Sequence, residues 1–307
     1  MRTLPFLADG FSQKVAEIAN IMHCGKNSFA YLVAFCSKDH PMEARNIIDD
    51  AFRYGHAEHA QYEKEGYCIF QNFLTPAALA ECSREIDGML ERLQPGRATD
   101  EIIGAHEQEP WIWNLATQPE VLDLIERQVG GDILFWSSHL ICKAPHSGRG
   151  IPWHQDAPYW NVTAKLPCGV WIGFDDMDAD NGAMCVLPGY QNDTLPIRQS
   201  GDNLFDEEID PSGLPEDFES SAVQYRFPAG GMAIHHTMIP HRSFPNQSPR
   251  WRRVLVLRFM AAGGTLGAKQ YEDYRNGEPF DRKYYVVRGS DQVNAGLPSR
   301  PDWPTAG

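Results

Sequence analysis

The tetrad Trp153-His154-Gln155-Asp156 sets a histidine and a carboxylate two residues apart. In an extended strand, residues i and i+2 project to the same side. His154 and Asp156 can therefore reach one metal ion from a rigid backbone. The segment His235-His236-Thr237-Met238-Ile239-Pro240-His241 offers three histidines as the third ligand. His241 is preferred, because Ser243 and Arg252 follow it two and eleven residues later. His235 and His236 stay open as competitors, with pocket lining or a hydrogen bond in the core as their other roles. Two imidazoles and one carboxylate on one face of an octahedron suit Fe(II) and leave three adjacent positions open. A bidentate 2-oxo acid takes two of these and dioxygen the third. A structural zinc site is closed and usually rich in thiolates, and no cysteine lies near these histidines in the sequence.

Arg252 opens an apolar run, Arg253–Met260. A guanidinium binds a carboxylate bidentately and does not deprotonate, which suits the distal carboxylate of 2-oxoglutarate. Ser243 can add a hydroxyl donor to the same group. Alternation puts Arg252, Val254, Val256 and Arg258 on one face of the strand. If that face is interior, Arg258 needs an anionic partner, because an unpaired buried charge is costly. An internal Asp or Glu is the expected partner, with an anionic substrate as the alternative.

These residues need a scaffold of short strands. From Ile133 onward the chain runs through β-rich segments bounded by Gly, Pro, Asn and Asp: Ile133–Lys143, Cys168–Asp175, Ala183–Leu187, Ala222–Arg226, Met232–His236, Arg253–Met260 and Tyr284–Arg288. Such a pattern predicts a mostly β fold, a sandwich or barrel, with flanking helices. Before it, Tyr67–Phe73 reads as a strand, and Thr75 caps a helix with Pro76 at its first position. A second helix fits Pro119–Val129, ended by Gly130-Gly131. Residues 1–60 show apolar residues at helical spacing (Phe11, Val15, Ile18, Met22; Ala44, Ile47, Ile48, Ala51). They are expected to form a helical N-terminal extension, for packing or as a homodimer arm, ahead of a catalytic domain at 61–307. The acidic, Pro- and Gly-rich stretch 190–221 is either a solvated excursion or a lid.

The bulk composition narrows the partners. A net charge of −14 opposes nucleic acid and anionic membranes, both of which need a basic surface. No apolar run approaches a membrane span. Seven cysteines without a CxxC, and no signal-like start, predict free thiols and a cytoplasmic location.

The segments WHQDAPYW, VWIGFDDMDADNGAMCVLPGYQ and HHTMIPHRSFPNQSPRWRR resemble the phytanoyl-CoA dioxygenase family, over roughly residues 62–262. The resemblance implies a double-stranded β-helix (jelly roll), Fe(II), dioxygen, and 2-oxoglutarate converted to succinate and carbon dioxide. It implies His154, Asp156 and His241 as iron ligands and Arg252 with Ser243 at the co-substrate carboxylate. Trp171 matches a tryptophan lining the co-substrate site. Gln155 is placed near the co-substrate by the family, although strand alternation turns it away from the metal. His139 falls where relatives use a varied residue to touch 2-oxoglutarate. Similar iron halogenases replace the ligand carboxylate with Gly or Ala, so Asp156 favours hydroxylation of a small-molecule substrate. Desaturation, epoxidation and ring formation use the same centre. A non-catalytic metal-binding jelly roll is the reading from another class.

Overall fold

A computed structural model describes residues 46–160, 169–199 and 207–303. Two antiparallel sheets face one another. The larger is ordered β1 (Tyr67–Phe70), β10 (Met232–His235), β5 (Gly169–Gly173), β12 (Arg252–Ala261), β3 (Ile133–Lys143) and β15 (Tyr285–Arg288), with β2 (Ile102–Ile103) also paired to β3. The smaller is ordered β4 (Ile151–His154), β11 (His241–Ser243), β6 (Met184–Val186) and β9 (Val223–Gln224). Trp171, Ala233, Val254 and Val256 from the large sheet meet Met184, Val186, Tyr225 and Ile239 from the small-sheet side in one buried cluster. Chain neighbours are repeatedly split between the two sheets, as in a jelly roll, and this is the fold the resemblance implied.

β12 and β3 form the longest ladder. Arg252, Val254, Val256 and Arg258 lie opposite Lys143, Ile141, His139 and Ser137. Alternation sends Leu255 and Leu257 to the outer face, where both are fully buried. Helices cover that face. α1 (His56–Glu65) precedes β1, and α2 (Pro76–Glu91) buries Ala78, Cys82, Ile86 and Met89. Thr75 caps α2 by accepting from the Ala78 amide, and Asp87 of α2 pairs with Arg253 on the outer face of β12. Further on come α3 (Pro110–Ala116) and α4 (Pro119–Val129). The predicted bounds of α4 and β3 are reproduced to the residue, because proline and glycine punctuate their ends.

Residues 46–60, counted with the extension on periodicity alone, pack on the domain. The Thr75 amide donates to Ile47, and the Phe52 ring sits edge-on to Phe70 and Phe73. The rest of the expected helical extension and its dimer contact lie outside the described residues, as do Cys24, Cys36 and Cys168. The four described cysteines, Cys68, Cys82, Cys142 and Cys185, are free and buried.

The described parts of 190–221 carry a hairpin of β7 (Ile197–Gln199) and β8 (Glu207–Ile209) and a short helix α5 (Phe218–Ser221). Leu195, Ile209, Leu214 and Phe218 pack on Trp153, Cys185 and Leu187. Two small strands, β13 (Gln270–Glu272) and β14 (Pro279–Asp281), pair beyond β12. Among the described residues, no helix is long and apolar enough to cross a membrane.

Candidate metal centre and the cavity around it

His154 ends β4 and His241 begins β11, directly opposite in the register. Their rings lie 4.0 Å apart. Asp156 completes the set, with one carboxylate oxygen 3.7 Å from His154 Nε2 and 4.0 Å from His241 Nε2. Ligand atoms of all three fall within 4.8 Å of one another. Each imidazole is oriented from behind: His154 Nδ1 lies 2.9 Å from the Pro152 carbonyl and His241 Nδ1 lies 3.0 Å from that of Ile239. A carbonyl only accepts, so Nδ1 carries the proton and the Nε2 lone pair faces the site. Burial, then the neighbouring His241, lowers the His154 pKa to about 4, which keeps the ring neutral and able to bind metal. Burial opposes ionisation of Asp156, but Arg258 followed by the histidines outweighs it and holds the carboxyl down at about 2.

Strand alternation explains only part of this arrangement. β4 stops at His154, and Asp156 has helical backbone angles at the start of a short turn. The amides of Asp156 and Ala157 both donate to the Thr237 carbonyl at 3.1 Å. The loop between β10 and β11 therefore holds the carboxylate beside the two histidines.

The competing histidines separate cleanly. His236 turns aside, its Nδ1 accepting from the Met238 amide and its ring near Tyr62. His235 lines the cavity with its ring 5.2 Å from that of His241, yet it is not one of the three convergent ligands.

The three ligands open into a cavity of about 250 Å³ between the sheets. At one end Arg252 is buried. Its Nε and Nη2 donate to the Gly182 carbonyl at 3.2 and 3.1 Å, and its Nη1 is buried without a partner. Burial lowers its pKa to about 10, so it remains charged at neutral pH. Trp171 on β5 lies beneath the guanidinium, 5.3 Å from ring centre to Arg252 Cζ. Ser243 faces the same end.

Sequence inspection missed Lys143. It lies opposite Arg252 in the ladder and is fully buried. It bridges the two sheets, donating to Ser243 Oγ at 2.9 Å and to the Phe244 carbonyl at 2.7 Å. Because that hydroxyl already accepts from Lys143, its own proton is available to a ligand. Burial, then the nearby Arg252, pushes the Lys143 ammonium down to about 6.

His139 also lines the cavity, with Nε2 3.0 Å from the Asp100 carbonyl and its pKa lowered to about 4 by burial and then Arg258. Gln155 does not line it. Its amide donates at 2.6 Å to the carbonyls of Asp193 and Met238, and its oxygen accepts from the Leu195 amide at 3.1 Å. In place of the suggested co-substrate contact, the side chain, which lies just past the end of β4, anchors the 190–221 segment. Glu219 of that segment ion-pairs with Arg242 and accepts from Trp153 Nε1 at 3.2 Å. The immediate neighbours of both ligand histidines are thereby tied to it.

The donor set fits a six-coordinate non-haem iron, with three ligands gathered on one side and cavity on the other. The orphaned Arg252 Nη1 and the Ser243 hydroxyl fit one carboxylate of a dicarboxylic co-substrate.

A family model described as phytanoyl-CoA dioxygenase (PhyH) matches residues 62–254. A probable alpha-ketoglutarate-dependent hypophosphite dioxygenase of Stutzerimonas stutzeri is 29% identical over 169 residues, covering 54% of this chain and 59% of the relative. The peroxisomal phytanoyl-CoA dioxygenase of Bos taurus is 23% identical over 230 residues, covering 66% of this chain and 67% of the relative. Thus the chain spans 59% of one of these curated relatives and 67% of the other. Among solved structures, a non-heme monooxygenase, ThoJ in its apo form, matches with a TM-score of 0.62 and 25% identity, covering 80% of this chain and 88% of that one.

Proposed function

The chain belongs to the phytanoyl-CoA dioxygenase family, and from that premise we propose that it is an Fe(II)- and 2-oxoglutarate-dependent dioxygenase that hydroxylates a carbon of a small-molecule substrate. The observation carrying this reading is the convergence of His154, Asp156 and His241 within 4.8 Å at a cavity whose far end holds a buried, orphaned arginine donor. Iron with bound 2-oxoglutarate and dioxygen supplies the oxidising chemistry, with succinate and carbon dioxide as co-products.

The chain's own residues do the positioning. His154 and His241 hold the metal through Nε2, and Asp156 through its carboxylate. Arg252 and Ser243 bind the distal carboxylate of the co-substrate, and Lys143 supports it from behind through the Ser243 hydroxyl. Trp171, Ile141 and Val256 wall the intervening cavity and keep water out of it. The cavity volume of about 250 Å³ is at the small end for ligand sites, so it encloses a small substrate or only the reacting end of a larger one.

Release of labelled carbon dioxide from 1-labelled 2-oxoglutarate, under air with Fe(II), tests the reading. Turnover should need all three ligands. A protein that binds iron yet releases no carbon dioxide with any candidate substrate would instead be a metal-binding scaffold. A product heavier by one oxygen identifies hydroxylation or epoxidation, which a new exchangeable hydroxyl proton tells apart, and one lighter by two hydrogens identifies desaturation or ring formation.

A further inference from the structure

The cavity has a second cationic end, away from Arg252. Arg252 and Arg258 point inward from one strand, six residues or about 20 Å apart along it. Arg258 lies over the Trp160 ring, and Trp160 packs on Trp136. Arg282 lies over Trp136 and donates to the Trp160 carbonyl, and its backbone amide donates to the Lys269 carbonyl. Arg258, Arg282 and Lys269 therefore share this end of the cavity.

The charges here are unbalanced. Asp156 is the one carboxylate among the described residues lining the cavity. It pairs with Arg258 Nη2 at 3.7 Å, longer than a direct hydrogen bond, and is the carboxylate proposed to bind the metal. Arg258 Nε is buried without a partner. Lys269 has no ion pair or side-chain hydrogen bond among the described residues, and its pKa is lowered by burial and by Arg282 and Arg258. Arg282 uses Nε and Nη1 on neutral oxygens of Tyr271, Trp160, Gly267 and Tyr284, so its charge is not balanced by a carboxylate among the described residues and it adds positive field. Three cations facing one metal-bound carboxylate, in a chain of net charge −14, concentrate positive potential at this one place. Arg282 is buried and Arg258 is only partly exposed, so an anionic counter-ion here would offset the cost of holding their charge away from water.

We propose that the substrate is a small organic anion whose carboxylate or phosphonate head binds Arg258 and Lys269, at the end of the cavity opposite Arg252. Trp136, Trp160 and Tyr271 wall the space for its apolar body. Because Arg258 is so close to a metal ligand, the carbon brought to the metal is only a few bonds from the anionic head. The proposal rests on the assignment of the Arg252 end to 2-oxoglutarate.

Anaerobic titration of the full chain loaded with Fe(II) and 2-oxoglutarate tests it, read by tryptophan emission. The probes are butanoate and butylphosphonate, against butanol and butanamide. The two anions should bind, in an order that tells carboxylate from phosphonate, and the neutral probes should not. Arg258→Gln and Lys269→Gln should each weaken anion binding by roughly tenfold or more, as expected for losing one charge-assisted contact. 2-Oxoglutarate affinity should stay within about twofold, since each variant leaves the distal guanidinium in place. Lys269 is exposed, so its variant reports even if Arg258→Gln fails to fold. Equal binding of neutral and anionic probes, unchanged anion affinity in Lys269→Gln, or anions that displace 2-oxoglutarate would each overturn the proposal. Loss of iron from Arg258→Gln would overturn the Arg258 assignment, making it a positioning group for Asp156. If the wild-type chain fails to take up iron and 2-oxoglutarate, the oxygenase reading falls and this proposal with it. If the loaded complex forms and no anion joins it, only this proposal falls.

Discussion

Arg252 and Arg258 leave the same strand on the same face, yet they sit in opposite surroundings. Arg252 is 2% exposed, fixed by two bonds to one carbonyl, and backed by Lys143 and Ser243. Arg258 is partly exposed and makes no hydrogen bond to a described residue; its one ionic neighbour is Asp156. Between them Val254 and Val256 keep the ladder apolar. The difference suits two tasks. A co-substrate that never changes is met by a preorganised fork, since a donor already fixed loses little entropy on binding. On the proposed reading, a substrate head group is met by a cation with unused donors. The metal ligands lie between and serve both ends.

Removing that shared centre has the largest expected effect. Asp156→Ala should lower 2-oxoglutarate turnover by about three orders of magnitude or more and weaken iron binding in halide-free buffer, because two imidazoles alone no longer form the facial set. Metal analysis and labelled carbon dioxide release check it together. If iron and turnover both persist, the two ends are not organised around this site.

Arg252→Gln should separate the ends. Losing the charge and the orphaned Nη1 donor raises the KM for 2-oxoglutarate by about a hundredfold, with iron content unchanged. Gly182→Ala attacks the same end through the backbone. Gly182 has φ of +73°, its carbonyl holds Arg252, and a Cβ there would run into the Phe244 and Pro245 carbonyls. The strain costs about 1–3 kcal/mol. Its KM for 2-oxoglutarate should rise with that of Arg252→Gln, while butanoate affinity of the loaded enzyme holds.

Lys143 adds a pH signature to that end. In the empty site its pKa is about 6, so it is neutral at pH 7, while a bound dicarboxylate favours the ammonium. Binding therefore takes up a proton. Affinity for 2-oxoglutarate is highest below pH 6 and falls as pH rises through that value. Lys143→Met should lower affinity by about tenfold at low pH and flatten the slope. Calorimetry in buffers of different ionisation heat reads the proton uptake directly.

The metal set was legible because His-x-Asp, then His-x-Ser, then Arg is a pattern of residue types whose spacing survives any loop geometry. The choice of His241 over His235 and His236 was less so. It depends on the register that sets His241 opposite His154, a long-range fact. β3 and α4 were legible to the residue, since glycine and proline end them. The turn that carries Asp156 was not, because its anchor is a carbonyl at Thr237. Lys143 reads locally as the polar end of an apolar strand, and its partner Ser243 lies 100 residues away. Arg258 announced its inward direction by alternation. Its companions Lys269 and Arg282 come from segments beyond the strand with no local pattern. Gln155 lies just past β4, and its outward direction follows from its bonds to Asp193, Leu195 and Met238 rather than from a continued strand.

The smallest expected effect tests whether the Arg258 end is the looser of the two. Gly169 lies opposite Arg258, as Gly182 serves Arg252. A Cβ at Gly169 would come 3.1 Å from Cε1 and Nε2 of His235, and nothing nearer is backbone. The His235 ring can yield by a few tenths of an ångström, whereas the Phe244 carbonyl at Gly182 cannot. Gly169→Ala should therefore cost less than about 1 kcal/mol in stability, leave the KM for 2-oxoglutarate unchanged, and change anion affinity by no more than about threefold. Matched thermal melts and titrations of the two alanine variants make the measurement. If Gly169→Ala proved as damaging as Gly182→Ala, the substrate end would be as rigidly built as the co-substrate end, and exchange of head groups there would require the strands themselves to move.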